Sequence, residues 1–167
     1  NPIFPYDVSK VCVENISESY SSDLFNLPIL VARFYNVYGP GHLNYKALIP
    51  NILKSIILNK DFEPAGNGLE IRNYTYIDDI VYMQLKLSEL LSKNKKLSGQ
   101  TFNLGSDFSY KSKQIIDKFF KMKNKKNELK IIYQKMKNNK KKSFQKIKLS
   151  SYSKIKRYIK LKKFSPI

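Results

Sequence analysis

Tryptophan is absent from the 167 residues, and cysteine and histidine occur once each, as Cys12 and His42. One thiol forms no internal disulfide, and one imidazole beside it cannot complete a cysteine-built zinc centre. Any metal site would rest on carboxylates, and none is expected. No apolar stretch in the sequence approaches the roughly 20 residues that span a bilayer. Asn1 to Lys10 lacks the basic start and apolar run of a signal peptide. A soluble, cytoplasmic chain with no membrane partner is therefore expected. Cys12, on an apolar helical stretch, is expected to be a buried small hydrophobe. Arginine is down to three residues, Arg33, Arg72 and Arg157, among 31 basic groups.

Lysine is what the chain has in excess, giving a formal net charge of +18. The charge is not spread evenly. Residues 111–167 hold 21 of the 31 Lys and Arg and only two acids, Asp117 and Glu128, so the first 110 residues are close to neutral. Lys, Asn, Ile, Phe and Tyr are inflated together while Ala falls to three residues, the signature of an AT-rich coding sequence with a solvated surface. A polyanion-binding face is the other reading of the tail. Nucleic acid is not the expected partner, because arginine is scarce and the tail lacks a regular array of stacking aromatics.

The pattern of apolar residues alternates between helix and strand, an α/β signature. Val8, Val11, Cys12, Ile16 and Tyr20 predict a helix from Tyr6 to about Leu24, ended at Asn26-Leu27-Pro28. Ile29 to Phe34 reads as a parallel strand covered on both faces. After Gly39-Pro40-Gly41, residues 47–59 resume helical spacing with Pro50 in the first turns. Gly66-Asn67-Gly68 turns into a strand over 71–77. Asp78 is expected to cap the next helix, which runs to about Leu91; the Asp78-Asp79 pair is read as capping rather than metal binding. A strand at Thr101–Leu104, a helix over 111–121, a strand over 129–133 and a short helix near 153–159 complete the chain.

Candidate chemistry begins with Tyr6 and Lys10, one helical turn apart on a single face. An ammonium beside a phenol favours the phenolate, the route to a general base near neutral pH. Five Tyr/Lys pairs share this spacing: Tyr6/Lys10, Tyr82/Lys86, Tyr133/Lys137, Tyr152/Lys156 and Tyr158/Lys162. Only context separates the first. It precedes Arg33-Phe34-Tyr35-Asn36-Val37-Tyr38-Gly39-Pro40-Gly41, then Arg72-Asn73-Tyr74-Thr75-Tyr76-Ile77-Asp78-Asp79, then Thr101-Phe102-Asn103-Leu104-Gly105-Ser106. In this order and spacing the blocks resemble the extended short-chain dehydrogenases, the nucleotide-sugar epimerases and 4,6-dehydratases, over about residues 2–115. Gly41-His42-Leu43-Asn44 and Leu48-Ile49-Pro50 look most like the CDP-glucose 4,6-dehydratase type.

The resemblance implies the C-terminal part of a Rossmann-type doubly wound parallel sheet with a smaller α/β substrate-binding domain. Residues 1–41 would end the NAD-binding domain and 42–167 would be mainly substrate-binding, with about 74–106 packing back on the Rossmann sheet. Tyr6 and Lys10 would be catalytic and, with Val37, would meet NAD. Asn36, Ala47, Leu48, Arg72 and Asn103 would contact a nucleotide-diphosphate sugar, Arg72 as a planar fork on the diphosphate. His42 would lie in a loop bordering the substrate. The implied function is NAD-dependent 4,6-dehydration in polysaccharide biosynthesis by a homodimer. The alternatives are 4-epimerisation, or an inactive remnant with a polyanion-binding tail.

The chain departs from the family in several places. It contains no Gly-x-Gly-x-x-Gly loop, so the expectation is a fragment without its cofactor-binding half and inactive alone. Asn73 stands where aspartate is usual, Lys140–Lys142 where a substrate-binding arginine would fall, and Ser151 where an aspartate is expected.

Overall fold

A computed structural model describes residues 4–122, 130–133, 147–160 and 164–167. The chain opens with α1 (Pro5–Ser21), whose first turn holds a proline. The fixed φ and missing N–H of proline suit that place. Two short strands follow, β1 (Val31–Phe34) and β2 (Val37–Tyr38), then α2 (Leu48–Ile57). Next come β3 (Ile71–Asn73), β4 (Thr75–Tyr76) and α3 (Ile77–Lys93). A 3₁₀ turn, Lys95–Leu97, leads to β5 (Thr101–Leu104), β6 (Ser109–Lys111) and α4 (Ser112–Met122). The last elements are β7 (Ile147–Lys148) and α5 (Ser153–Lys156).

Pairing is mostly parallel, as expected of helices alternating with strands. β1 runs parallel to β5, with Val31 opposite Thr101 and Phe34 opposite Leu104. β2 runs parallel to β4, placing Val37 beside Thr75 and Tyr38 beside Tyr76. β3 is the centre of a separate sheet, antiparallel to β6 and parallel to β7. The fold is thus the α/β arrangement that the sequence implies, with parallel strands returning after helical crossovers.

Two apolar cores form around these sheets. Ile80, Met83 and Leu87, spaced along one face of α3, meet Leu97, Phe102, Leu104, Tyr152, Ile155 and Ile159. Ile49 and Ile52 of α2 meet Phe62, Tyr74, Ile115 and Ile116 in the second. Met83 and Ile52 are completely buried; truncating a side chain so placed to alanine costs about 2–5 kcal/mol.

Several local expectations are revised. The strand over 71–77 is broken at Tyr74, and Ile77 already belongs to α3. The N-cap of α3 is Tyr76, not Asp78, and no side chain caps it. Asp78 and Asp79 lie in its first turn, where carboxylates complement the helix dipole; Asp79 Oδ2 also accepts from the Ser165 amide at 3.0 Å. β1 is not covered on both faces, because Phe34 remains 45% exposed. The Lys/Asn loop, including Lys137 and Lys140–Lys142, lies outside the described residues, as does Lys162. No helix among the described residues is long and apolar enough to cross a membrane.

The largest revision concerns α1, which buries none of its residues. Val8, Val11, Val13, Ile16 and Tyr20 are all exposed, and Cys12, expected inside, is exposed too. Periodicity finds the apolar stripe correctly but cannot say what covers it, and no element among the described residues does. α1 is tied to β1 by a fork: Arg33 Nε donates to Glu14 Oε1 at 2.7 Å and Nη2 donates to Oε2. Arg33's hydrogen bond holds the Glu14 carboxyl below its usual range. So exposed a pair contributes only about 0.2–1 kcal/mol. The Cys12 thiol of the native chain is accordingly expected to react stoichiometrically with a thiol reagent without denaturant; protection until unfolding would contradict the exposed α1.

Candidate functional site

A cleft of about 340 Å³ opens where β2, α2 and β3 converge. Its first wall is the end of β2 and the turn after it. Asn36, just before β2, adopts φ 33°, a left-handed conformation that asparagine tolerates better than most residues. Its Nδ2 donates to the Asn73 carbonyl at 2.9 Å, and its carbonyl accepts from the Thr75 amide at 3.3 Å. The chain then turns at Gly39, where an added Cβ would fall 2.4 Å from Ile77 Cγ2. That close approach to α3 lets the loop with His42 reach the mouth of α2.

The second wall is the start of α2. Ala47 is its N-cap and offers no side-chain acceptor. Pro50, third in the helix, has no N–H, so the first-turn amides left without an intrahelical or side-chain capping partner are those of Leu48 and Ile49, and amides so placed favour an anion. Lys46, Ala47, Leu48 and Pro50 line the cleft here. The third wall is β3 and its approach: Glu70, Arg72 and Tyr74, with Ser112 at the start of α4. Arg72 Nη1 donates to the Ile71 carbonyl at 2.8 Å, which orients the planar guanidinium. Burial pushes the Tyr74 phenol up, and that of Tyr38 up to about 12; both stay protonated at neutral pH, and the Tyr38 hydroxyl donates to the Ser165 carbonyl at 3.2 Å. His42 Nδ1 is buried with no partner among the described residues.

The cleft brings together five of the residues singled out from the sequence, Asn36, Val37, Ala47, Leu48 and Arg72, along with His42. It does not include Tyr6, Lys10 or Asn103. Tyr6 is 69% exposed, and Lys10 Nζ lies 5.3 Å from its ring centroid, as one helical turn predicts. Two of the other Tyr/Lys spacings have their lysine engaged elsewhere: Lys86 pairs with Glu89, and Lys156 with Asp107. Asn103 sits on β5, where its Oδ1 accepts from Tyr35 at 3.3 Å and its Nδ2 donates to the Ser151 carbonyl at 3.0 Å. Sequence reading missed Tyr38, Lys46, Glu70 and Tyr74. The signal for Glu70 and Tyr74 was present, since each stands two residues from Arg72 on extended chain and so shares its face.

Asn73 links this cleft to the rest of the protein. It is 4% exposed; its Nδ2 donates to the Ser106 and Phe108 carbonyls at 3.3 and 3.4 Å, and its Oδ1 accepts from the Ser150 amide at 3.0 Å. An aspartate here could not donate to those two carbonyls while ionised.

The sequence model of the NAD dependent epimerase/dehydratase family matches residues 1–105. The dTDP-D-glucose 4,6-dehydratase of Dictyostelium discoideum is 33% identical over 118 residues, covering 71% of this chain and 26% of that protein. Among solved structures, the epimerase Mth375 of Methanothermobacter thermautotrophicus superposes with a TM-score of 0.76 at 26% identity, covering 92% of this chain and 44% of that one. The UDP-glucuronic acid 4-epimerase of Bacillus cereus, solved with UDP-glucuronic acid and NAD, gives 0.79 at 24% identity over 100% of this chain and 49% of that one. The chain thus spans about a quarter of the length of the Dictyostelium relative and just under half of the two structures.

Asn73→Asp is expected to lower stability by about 1–3 kcal/mol, the cost of leaving buried groups without partners. Urea unfolding at neutral pH measures it, and a midpoint unchanged from the parent chain would show that Asn73 is not the hub its contacts describe.

Proposed function

Because the chain belongs to the NAD dependent epimerase/dehydratase family, we propose that it carries the catalytic pair and the nucleotide-sugar cleft of a 4,6-dehydratase. The observation that carries this reading is the cleft itself. Five separate stretches, residues 36–38, His42, residues 46–51, residues 62–74 and Ser112, converge on one space that offers a fixed guanidinium, an uncapped helix start and the protonated Tyr74 phenol. A diphosphate needs cationic and N–H donors together, and this arrangement provides them. Arg72 and the start of α2 bind the diphosphate; Asn36, Ala47 and Leu48 position the rest of the substrate, with Asn103 a further contact.

Tyr6 is the base, taking the proton of the sugar 4-hydroxyl at its phenolic oxygen. Lys10 sits over its ring, with Nζ 5.3 Å from the centroid, where an ammonium can hydrogen-bond a cofactor or substrate hydroxyl. NAD, when bound, supplies the hydride acceptor for oxidation at C4. The exposed Tyr6 and Lys10 suit the nicotinamide end of that cofactor, with Val37 beside it. No glycine-rich loop of this sequence fits its pyrophosphate, so the 167-residue chain alone is not expected to bind NAD tightly or to turn over. A ketone at C4 would acidify the C5 proton, water would leave across C5 and C6, and the hydride taken from C4 would return to C6 as a proton returns to C5, so that the cycle is redox-neutral. The 4-epimerase reading uses the same residues and differs only in the fate of that ketone.

Residues 1–41 are proposed as the end of the cofactor domain and 42–167 as mainly the substrate domain. The pairing of β5 with β1 supports a return of residues 74–106 to the first sheet. The complete protein is proposed to be a cytoplasmic homodimer serving polysaccharide biosynthesis.

Titration of the chain with UDP, followed by amide chemical shifts, is expected to perturb residues of β3 and the start of α2. Arg72→Gln should weaken the affinity by about 10- to 100-fold, the loss of one charge-assisted contact. Perturbations confined to the lysine-rich tail, with steep salt dependence, would instead favour the polyanion-binding remnant.

A further inference from the structure

Glu70 is an acid inside a cleft otherwise equipped for an anion. It lines the same space as Arg72, two residues away on extended chain, so that the two side chains leave the strand on one face about 6–7 Å apart. The register that places them continues the β3–β6 ladder: the Ser112 amide donates to the Glu70 carbonyl at 2.9 Å. The Glu70 carboxylate itself accepts no hydrogen bond from any described residue. It lies against Gly66, where an added Cβ would stand 2.2 Å from Glu70 Oε1. Any larger residue at Gly66 would displace the carboxylate, so the Gly66-Asn67-Gly68 turn makes room for it.

A carboxylate with no hydrogen-bond donor among the described residues repels phosphate and accepts O–H or N–H donors. A ligand that engages both side chains must present an anion to Arg72 and, a short distance along, a donor to Glu70. A ribonucleoside diphosphate does this: the vicinal 2′- and 3′-hydroxyls can donate to the two oxygens of one carboxylate, whereas a 2′-deoxyribose offers one hydroxyl. We propose that Glu70 reads the ribose, making the cleft selective for ribonucleoside over 2′-deoxyribonucleoside diphosphates. This rests on the cleft being the nucleotide-sugar site, and it assigns Glu70 the choice of nucleotide within that site.

The test compares UDP with 2′-deoxy-UDP, which share base and diphosphate and differ only at the 2′ position. Calorimetric titration of the full chain is expected to show UDP binding about tenfold or more tighter, the loss of one hydrogen bond to a charged group. In Glu70→Ala that ratio should fall to near one. Gly66→Ala, which leaves the carboxylate in the chain but pushes it from its seat, should also reduce the ratio. Equal affinities in the parent chain, or a preference that survives in Glu70→Ala, overturn the assignment while leaving the cleft as a nucleotide site. Absence of binding by either nucleotide, with Arg72→Gln no different, overturns the cleft reading and the assignment together.

Discussion

The side-chain amide of Asn73 is the constraint on which the rest of the cleft depends. Its donors reach the carbonyls of Ser106 and Phe108 and its oxygen takes the amide of Ser150, while its backbone carbonyl holds Asn36. Three segments distant in sequence, at Asn36, Ser106–Phe108 and Ser150, are thereby fixed around one buried group. Ser106 completes the junction, its hydroxyl donating to the Tyr74 carbonyl at 2.7 Å and its amide to Thr75 Oγ1 at 2.9 Å. Polar groups buried this fully are costly unless every partner is in place. An amide, with both donors and an acceptor, satisfies the site where a carboxylate would face the Ser106 and Phe108 carbonyls with no donor, leaving Phe108 only the Tyr74 amide at 3.3 Å. Asn73 is thus a departure from the family pattern that the local geometry accounts for.

This junction lies between the two apolar cores and fixes how their strands meet. The chain breaks its extended run at Tyr74, whose ring goes into the core of α2 and α4, and re-enters as β4 beside β2. The break changes which sheet the strand serves: β3 pairs with β6 and β7, and β4 with β2. The cleft sits at that change of partner, with Arg72 on one side and Val37 on the other. Open α/β folds place their ligands at such crossing points because the backbone must diverge there. Asn36 pays a left-handed φ to make the divergence possible.

Most of the architecture was legible in the sequence because its signals are local. The apolar spacing of α2, α3 and α4 and the short run at Thr101–Leu104 each depend only on neighbours along the chain. The break at Tyr74 was not legible, since Ile71 to Ile77 reads as one strand until the competing pairings are known. Nor was the exposure of Cys12: an apolar stripe reports a demand for burial, and the residues around it do not meet that demand. In the site, Arg72 stood out because arginine is so rare in this chain, and Asn36 through its ordered neighbours. Glu70 was missed for the opposite reason. A glutamate between an apolar pair looks like ordinary solvated surface, so its two-residue spacing from Arg72 passes unnoticed until the structure shows the carboxylate against Gly66.

Tyr6 and Lys10 and the cleft represent two unequal stages of assembly. The cleft is built from contacts internal to this chain and needs nothing further to hold Arg72, the start of α2 and Asn36 in register. The Tyr6/Lys10 pair, by contrast, has its spacing fixed by α1 but its surroundings left open, with the phenol mostly in water. A catalytic base is oriented by groups packed around it, and α1, which buries none of its residues, has few. The apolar stripe of α1 and the exposed end of β1 at Phe34 are the surfaces through which such surroundings would be supplied. A helix that meets its own core through little more than one Arg–Glu fork is set by what packs against its other face. In the reading proposed for this chain, substrate positioning is therefore a property of residues 36–112, while activation of Tyr6 depends on what packs against the exposed face of α1.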